Sequence, residues 1–249
     1  MRNNKAFTLA EILITIGIIG VVSALTIPSL LSNIKAHQYR QKLKKTVSTL
    51  SNAARLSQAQ YGFDYAGINA KCGANGGNEK PESVQTICSL LNGTLTGVTY
   101  YDKASEIQMT KVNSILNYST TLSYSAILTS GSGNNLDRFH SYVLSNGIII
   151  AFPNVLGIDN PCSLPVGETL GENYSGGSLN DCYGFIDVNG VNLPNKEVSC
   201  SSGKNLLSEN TCIVKNDSEH MTDIYPIRFH DSVVEPASAA ARYVLRTAK

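Results

Sequence analysis

The sequence predicts an α+β protein in which one long N-terminal helix is packed against a head of antiparallel strands with disulfide-tied loops. Residues 7–27 form an apolar run, and residues 29–60 contain neither Gly nor Pro and place apolar side chains at steps of three or four residues. After residue 93 the apolar residues occur instead in short runs separated by turn residues. The first two observations predict one helix over residues 7–60, about 80 Å long at ~1.5 Å per residue.

The apolar run is the most informative part of the chain. Residues 7–27 read FTLAEILITIGIIGVVSALTI, which is long enough to cross a bilayer as a helix, and they follow a short basic leader, MRNNKA. Glu11 is the only charged residue in the run. A carboxylate inside a membrane costs about 3 kcal/mol or more unless it is paired. Glu11 is therefore expected to have a specific partner.

The residues around Glu11, KAFTLAE, resemble the processing site of type IV prepilins and type II secretion pseudopilins. The resemblance implies that a prepilin peptidase removes the leader, residues 1–6, by cutting between Ala6 and Phe7. It also implies that Phe7 is then N-methylated and that its ammonium group pairs with Glu11 of a neighbouring subunit. The family usually has Gly before the cut, so Ala6 is a departure that predicts slower cleavage.

Two further residues agree with this resemblance. Gly20 and Pro28 fall where pilin-like proteins often carry Gly and Pro, which implies that the segment between them can unwind when subunits pack into a filament. Pro28 has no backbone N–H to donate, and Gly20 permits close approach of another helix. The resemblance therefore assigns assembly roles to Glu11, Gly20 and Pro28.

The same N-terminus permits a second interpretation. A basic start, an apolar run and the small residues Val22, Ser23 and Ala24 resemble a signal peptide cleaved after Ala24, which would release a soluble secreted or surface-bound protein. The apolar run is longer than a signal peptide requires, and this interpretation leaves Glu11 without a role. A third possibility is an exported binding module on a pilin-like anchor.

Charge divides the rest of the chain into a basic stem and an acidic head. The stem, residues 28–60, carries six basic residues and no acidic ones, whereas residues 61–249 carry 12 Lys and Arg against 18 Asp and Glu. The stem is predicted to contact anionic lipid headgroups or acidic surface of neighbouring heads. An acidic head argues against a nucleic-acid partner.

All six cysteines lie in the head, which indicates disulfides in an exported domain. Six cysteines allow 15 pairings. Pairing in sequence order is preferred because each bridge then closes a short loop: Cys72–Cys88, Cys162–Cys182 and Cys200–Cys212.

Short elements are predicted along the head. A short amphipathic helix is predicted with Pro81 in its first turn and its end at Asn92-Gly93; its apolar face carries Val84, Ile87, Cys88 and Leu91. Asn146-Gly147 predicts a hairpin over residues 141–152. Strands are predicted at residues 183–188 and 224–229, a closing helix at residues 237–245 and a polar turn at residues 131–135.

The head shows little sign of catalytic chemistry, and we do not expect an enzyme. Nucleophile, nucleotide-binding and metalloprotease motifs are absent, and the histidines are scattered. Residues 187–195 (DVNGVNLPN) resemble a segment found in many pilin-like heads, and their candidate oxygen ligands for Ca²⁺ are Asp187, Asn189 and Asn192. The segment lacks the complete calcium loop, so an Asn-Gly turn is preferred and no cofactor is expected.

The resemblance thus predicts a pilin or pseudopilin with a filament role. Its expected partners are copies of itself or other pilin-like subunits, the prepilin peptidase and methyltransferase, and an inner-membrane assembly platform. The expected location is the bacterial inner membrane, as a single-pass protein with an extracytoplasmic head, and then the filament.

Overall fold

One long helix and one antiparallel sheet organise the chain. A computed structural model describes residues 8–73, 75–107, 139–153, 182–192, 196–205, 210–215, 217 and 220–247. The helices are α1 (Leu9–Tyr61), α2 (Ile87–Thr94) and α3 (Ala239–Arg246). The strands are β1 (Thr99–Tyr101), β2 (Phe139–Val143), β3 (Ile149–Pro153), β4 (Cys182–Asp187), β5 (Ile224–His230) and β6 (Val233–Pro236). The predicted α+β architecture, with a long helix joined to a stranded head, is confirmed.

Helix α1 is continuous over 53 residues, as the sequence predicted to within two residues at each end. It begins after the N-cap Thr8 and ends at Gly62, which has a left-handed backbone (φ 81°) and donates its N–H to the Gln58 carbonyl. Pro28 lies inside the helix without ending it. The predicted cleavage residues Ala6 and Phe7 lie outside the described residues.

The C-terminal half of α1 packs on the sheet and shares its hydrophobic core. All ten buried residues of α1 lie between Ser32 and Ser57. Polar contacts fix the alignment: the Val234 N–H donates to Ser51 Oγ at 2.9 Å, and the Tyr65 hydroxyl donates to the Leu50 carbonyl at 2.9 Å. The head therefore packs against the C-terminal half of the helix and leaves the N-terminal half exposed.

The sheet has the strand order β1-β2-β3-β4-β5-β6, and every neighbouring pair is antiparallel. The hairpin predicted from Asn146-Gly147 joins β2 and β3, with Val143 opposite Ile149 and Gly147 at φ 80°. The strands predicted at residues 183–188 and 224–229 correspond to β4 and β5. The short strands β1 and β6 were not predicted.

The second helix begins later than the sequence predicted. Thr86 caps it, since its hydroxyl accepts from the Ser89 N–H at 2.9 Å while Ser89 Oγ accepts from the Thr86 N–H at 3.1 Å. Pro81 lies in the turn that precedes the helix, so its assignment to the first helical turn was wrong. The closing helix α3 also starts at a cap, Ser238, and its prediction is confirmed.

Disulfides tie the head as expected. Cys72 is bonded to Cys88, and Cys200 is bonded to Cys212. Cys182 is also disulfide-bonded. Its expected partner, Cys162, lies outside the described residues, as does the polar turn predicted at residues 131–135, so these two assignments stay predictions.

Candidate functional site

The N-terminal half of α1 exposes its apolar side chains. We call residues 9–31 the bare segment and residues 32–61 the supported segment. Every Leu, Ile and Val of the bare segment is between 45 and 76 % exposed. The bare segment is about 35 Å long, against ~30 Å for the hydrocarbon core of a bilayer. By length and composition this part of α1 can cross a membrane.

Glu11, the one charge of the bare segment, closes a capping box with Thr8. The Thr8 N–H and the Thr8 hydroxyl both donate to Glu11 Oε2 at 2.8 Å, and the Glu11 N–H donates to Thr8 Oγ1 at 3.3 Å. The sequence analysis missed this role, although a Thr followed three residues later by Glu is the usual signature of the motif. In the single subunit Glu11 therefore stabilises the start of α1.

The other two assembly candidates also lie on the bare segment. A Cβ atom built on Gly20 would meet no heavy atom within 4 Å, so this surface is open to another helix. Pro28 cannot donate to the Ala24 carbonyl, so one helical hydrogen bond is missing there although the helix continues. The structure thus brings Glu11, Gly20 and Pro28 onto one uncovered helix, and their assembly roles stay predictions.

The predicted calcium residues form a turn at the end of β4. Asp187 is 2 % exposed, and its Oδ1 accepts the N–H groups of Asn189 at 3.0 Å and Gly190 at 2.8 Å. The Asn192 side-chain amide donates to the Asn189 carbonyl at 3.0 Å. Gly190 has φ 62°, and a Cβ atom there would lie 2.2 Å from the Gly147 carbonyl oxygen. The turn gives Asp187 a structural role, and calcium binding here stays a prediction.

A second buried carboxylate lies beside this turn and the supported segment. Asp223 is fully buried, and its Oδ1 accepts the Lys196 N–H at 2.8 Å. Burial raises the pKa of the Tyr39 phenol, and the nearby charges of Asp223 and Asp187 raise that pKa further. The sequence analysis missed this grouping because only the β4–β5 register, with Asp187 opposite Ile224, brings the two carboxylates together.

A polar cluster in the sheet joins β1 to β2. The Tyr100 hydroxyl lies 2.6 Å from His140 Nδ1 and donates to Asp102 Oδ1 at 3.1 Å. His140 is 2 % exposed, and burial, reinforced by the charge of Asp102, raises the pKa of the Tyr100 phenol. The sequence analysis regarded His140 as one of four scattered histidines. The cluster holds the short strand β1 against β2.

One grouping of side chains has the spacing of a metal site but not its chemistry. Sγ of Cys72, Sγ of Cys88 and a carboxylate oxygen of Glu79 lie within 4.8 Å of one another. The two sulfur atoms are bonded to each other, and metal ligation requires thiolates. Glu79 instead accepts hydrogen bonds from the Gly73 N–H and the Thr86 hydroxyl.

Comparison with known proteins characterises the N-terminus. Residues 1–27 match the prokaryotic N-terminal methylation motif, the signature of type IV pilins and pseudopilins. No curated protein and no solved structure gives a significant match. The motif and the long apolar helix together indicate a membrane-anchored bacterial protein with a pilin-like α+β architecture.

Proposed function

We propose that this chain is a filament subunit, made as a prepilin, cut between Ala6 and Phe7, methylated at Phe7 and assembled through its bare segment. The observation that carries the proposal is the coincidence of two independent features. The methylation motif ends at residue 27, and the first buried residue of α1 is Ser32. The segment that the motif marks is thus the one that the head leaves without a packing partner.

The physics of the bare segment favours helix-to-helix assembly. Lipid tails are as apolar as the side chains they contact, so helices associate in a membrane through close packing and polar pairing. Gly17 and Gly20 allow close packing, and Glu11 supplies the polar group. An ion pair between the Glu11 carboxylate and the Phe7 ammonium of a neighbouring subunit satisfies this charge and stabilises the correct register of the two helices. Partners in this scheme are copies of the chain or other pilin-like subunits, and the filament is a type IV pilus or a type II secretion pseudopilus.

The soluble alternative conflicts with the exposed surface. Cleavage after Ala24 would leave a helix that starts at Leu25, which is 76 % exposed, and carries Ile27, Leu30, Leu31 and Ile34 at 45–60 % exposure. A soluble monomer rarely exposes so continuous an apolar stripe. The same release would discard Glu11 and its capping box. An exported binding module on a pilin-like anchor remains compatible with the head, and it would use the same processing.

Filament isolation tests the proposal. The chain is expressed in a bacterium with a pilin assembly system and in the same strain without its prepilin peptidase. Filaments sheared from the first strain are expected to contain the chain, and the second strain is expected to retain it uncut in the membrane. Recovery of the chain as a soluble secreted protein in both strains would refute the proposal.

A further inference from the structure

A cleft at one end of the head is lined by two lysines and several hydrogen-bond donors. It has a volume of about 260 Å³, and its lining includes Lys196, Ser199, Ser201, Lys215, His220 and Thr222. In the described part of the chain, Lys196 and Lys215 form no ion pair. Glu197 also lines the cleft, and Asp217 contacts His220 Nδ1 at 2.5 Å. Among the described lining residues, Lys196, Lys215 and three hydroxyl groups offer donors to an anionic ligand, against the one carboxylate of Glu197.

Hydrogen bonds place this cleft at the level of Lys42 on α1. Lys42 Nζ donates to the Val188 carbonyl at 3.1 Å, and the Val188 N–H donates to the Asp223 carbonyl at 2.9 Å. The Asp223 side chain in turn accepts the Lys196 N–H at 2.8 Å. Three hydrogen bonds, through Val188 and Asp223, therefore connect Lys42 to Lys196.

The direction of β5 shows that this is the end of the head nearest the bare segment. The strand starts at Ile224, beside the Lys42 level, and ends at His230. The next residue, Asp231, accepts the Tyr65 N–H at 3.0 Å, and the Tyr65 hydroxyl reaches the Leu50 carbonyl. The strand thus runs away from the bare segment, and the cleft residues His220 and Thr222 precede its first residue.

When the apolar part of α1 spans a bilayer, the cleft lies within the length of a lysine side chain of the lipid headgroup layer. The apolar character of α1 ends at Ile34, and Lys35 is the first charged residue after Glu11. Lys42 lies eight residues beyond Ile34, about 12 Å along the axis. The polar layer on each side of a bilayer is ~5–8 Å thick, and an extended lysine side chain bridges the remaining distance.

We propose that the cleft binds the phosphate group of an anionic phospholipid in the leaflet beneath the head. The inference rests on the membrane anchoring in the proposed function and adds a lipid contact that operates before assembly. Lys196 and Lys215 bind the phosphate, and the hydroxyl groups of Ser199 and Thr222 donate to its oxygens. Each lysine is expected to contribute about a fivefold gain in lipid affinity. The contact would hold the head upright on the membrane surface.

Amide hydrogen exchange of the full chain in lipid nanodiscs tests the contact. Nanodiscs of phosphatidylcholine alone are compared with nanodiscs containing phosphatidylglycerol. Exchange over residues 196–205 is expected to be severalfold slower with the anionic lipid, and high salt should remove the difference. The double variant Lys196→Gln/Lys215→Gln should lose the protection. The matched control, Lys71→Gln/Lys80→Gln, removes two exposed lysines at the other end of the head, where Pro81 lies beside Gly93 and Gly93 lies beside Tyr61.

Other outcomes of the exchange experiment would overturn either the lipid contact or the membrane anchoring. Equal exchange in both nanodiscs, with the chain still embedded, would overturn the lipid contact and leave the filament proposal intact. Protection that appears only when subunits are concentrated in neutral nanodiscs would assign the cleft to acidic surface of another subunit. Protection by inorganic phosphate in neutral nanodiscs, without an added effect of phosphatidylglycerol, would make the cleft a site for a soluble anion. Failure of the chain to embed would instead refute the membrane anchoring itself.

Discussion

The two halves of α1 share one backbone helix but differ in what surrounds them. The supported segment contributes ten buried residues to the head, including Leu43 and Leu50 at 0 % exposed. The bare segment contributes none, and its Leu9 and Leu25 are each 76 % exposed. Apolar side chains thus serve two different purposes along one helix. In the supported segment they stabilise the chain's own fold, and in the bare segment they are exposed and can contact a membrane or another subunit.

Polar groups show the same division. In the supported segment, Lys42 and Ser51 form hydrogen bonds with residues of the sheet that are far away in sequence. In the bare segment, the hydrogen bonds that Glu11 forms with described residues are local, to Thr8. In the proposed function the bare segment leaves the membrane for a filament while the head stays folded. The folding surface and the proposed assembly surface are thus separated along the sequence. Each prediction below tests that separation, starting with the largest effect.

Removing the Glu11 charge should abolish assembly and leave the head folded. Glu11→Gln keeps the capping box, because Gln serves at this position as Glu does, but it carries no negative charge to form an ion pair with an ammonium group. Loss of one member of a buried ion pair costs about 3–5 kcal/mol. The yield of sheared filaments relative to membrane-bound subunit should therefore fall by more than a hundredfold.

Thr8→Ala is the matched control for Glu11→Gln, because it removes the cap and keeps the charge. It should reduce filament yield far less. Equal yields for Glu11→Gln and wild type would show that the carboxylate acts only as a helix cap. The comparison applies once wild-type subunit has been found in the filament shaft.

Truncating one leucine in each half should separate the two roles. Leu43→Ala leaves a cavity in a core where Leu43 is fully buried, and we expect it to lower the free energy of unfolding of the head by about 2–5 kcal/mol. Leu13→Ala, at 62 % exposed, should not change that free energy. Chemical denaturation in detergent, followed by tyrosine fluorescence, measures both. A comparable loss in Leu13→Ala would show that the bare segment packs on the head after all.

Removing a disulfide should destabilise the head, which packs on the supported segment, and leave the bare segment unchanged. The Cys72–Cys88 bridge closes a loop with a sequence separation of 16, and it fixes α2, which contacts α1. Replacing both cysteines with serine should lower the free energy of unfolding by about 3 kcal/mol. Thiol labelling of native wild-type protein should find no reactive cysteine. Labelling at either residue would contradict the assignment of this bridge.

The smallest of these effects concerns one hydroxyl group. Ser51→Ala removes the acceptor of the buried Val234 N–H, which should cost about 1–3 kcal/mol. Thr49→Ala is the control, since the described hydrogen bond of the Thr49 hydroxyl is to the Lys45 carbonyl within its own helix. Both variants are compared by denaturation, and a neutral Ser51→Ala would indicate that β6 is not anchored through α1.

Sequence patterns predicted the features that depend on neighbouring residues. The length of α1 follows from the apolar run and from the absence of Gly and Pro after residue 28, and the β2–β3 turn follows from Asn146-Gly147. Features that depend on distant contacts were missed. Strand β1 has only three residues and is recognised by its pairing with β2. The sequence offers both Pro81 and Thr86 as starting points for α2, and the helix begins at the Thr86 cap.

The candidate site divides in the same way. Glu11 was recognised because it is a single charge within an apolar run, which the sequence alone reveals. The cleft at Lys196 and Lys215 forms only when folding brings the chain entering β5 and the disulfide-tied loop together. The meeting of Asp187 and Asp223 likewise requires the β4–β5 register. A sequence therefore reveals an anchor more readily than a surface site.

The mass of the mature N-terminal peptide tests the central claim most directly. Membrane-extracted protein is digested, and the N-terminal fragment is identified by mass spectrometry. The account predicts a chain that starts at N-methylated Phe7, and Ala6→Gly should yield the same peptide at least as fast. A chain that starts at Leu25, or one that retains Met1–Ala6 in a strain with active prepilin peptidase, would contradict it.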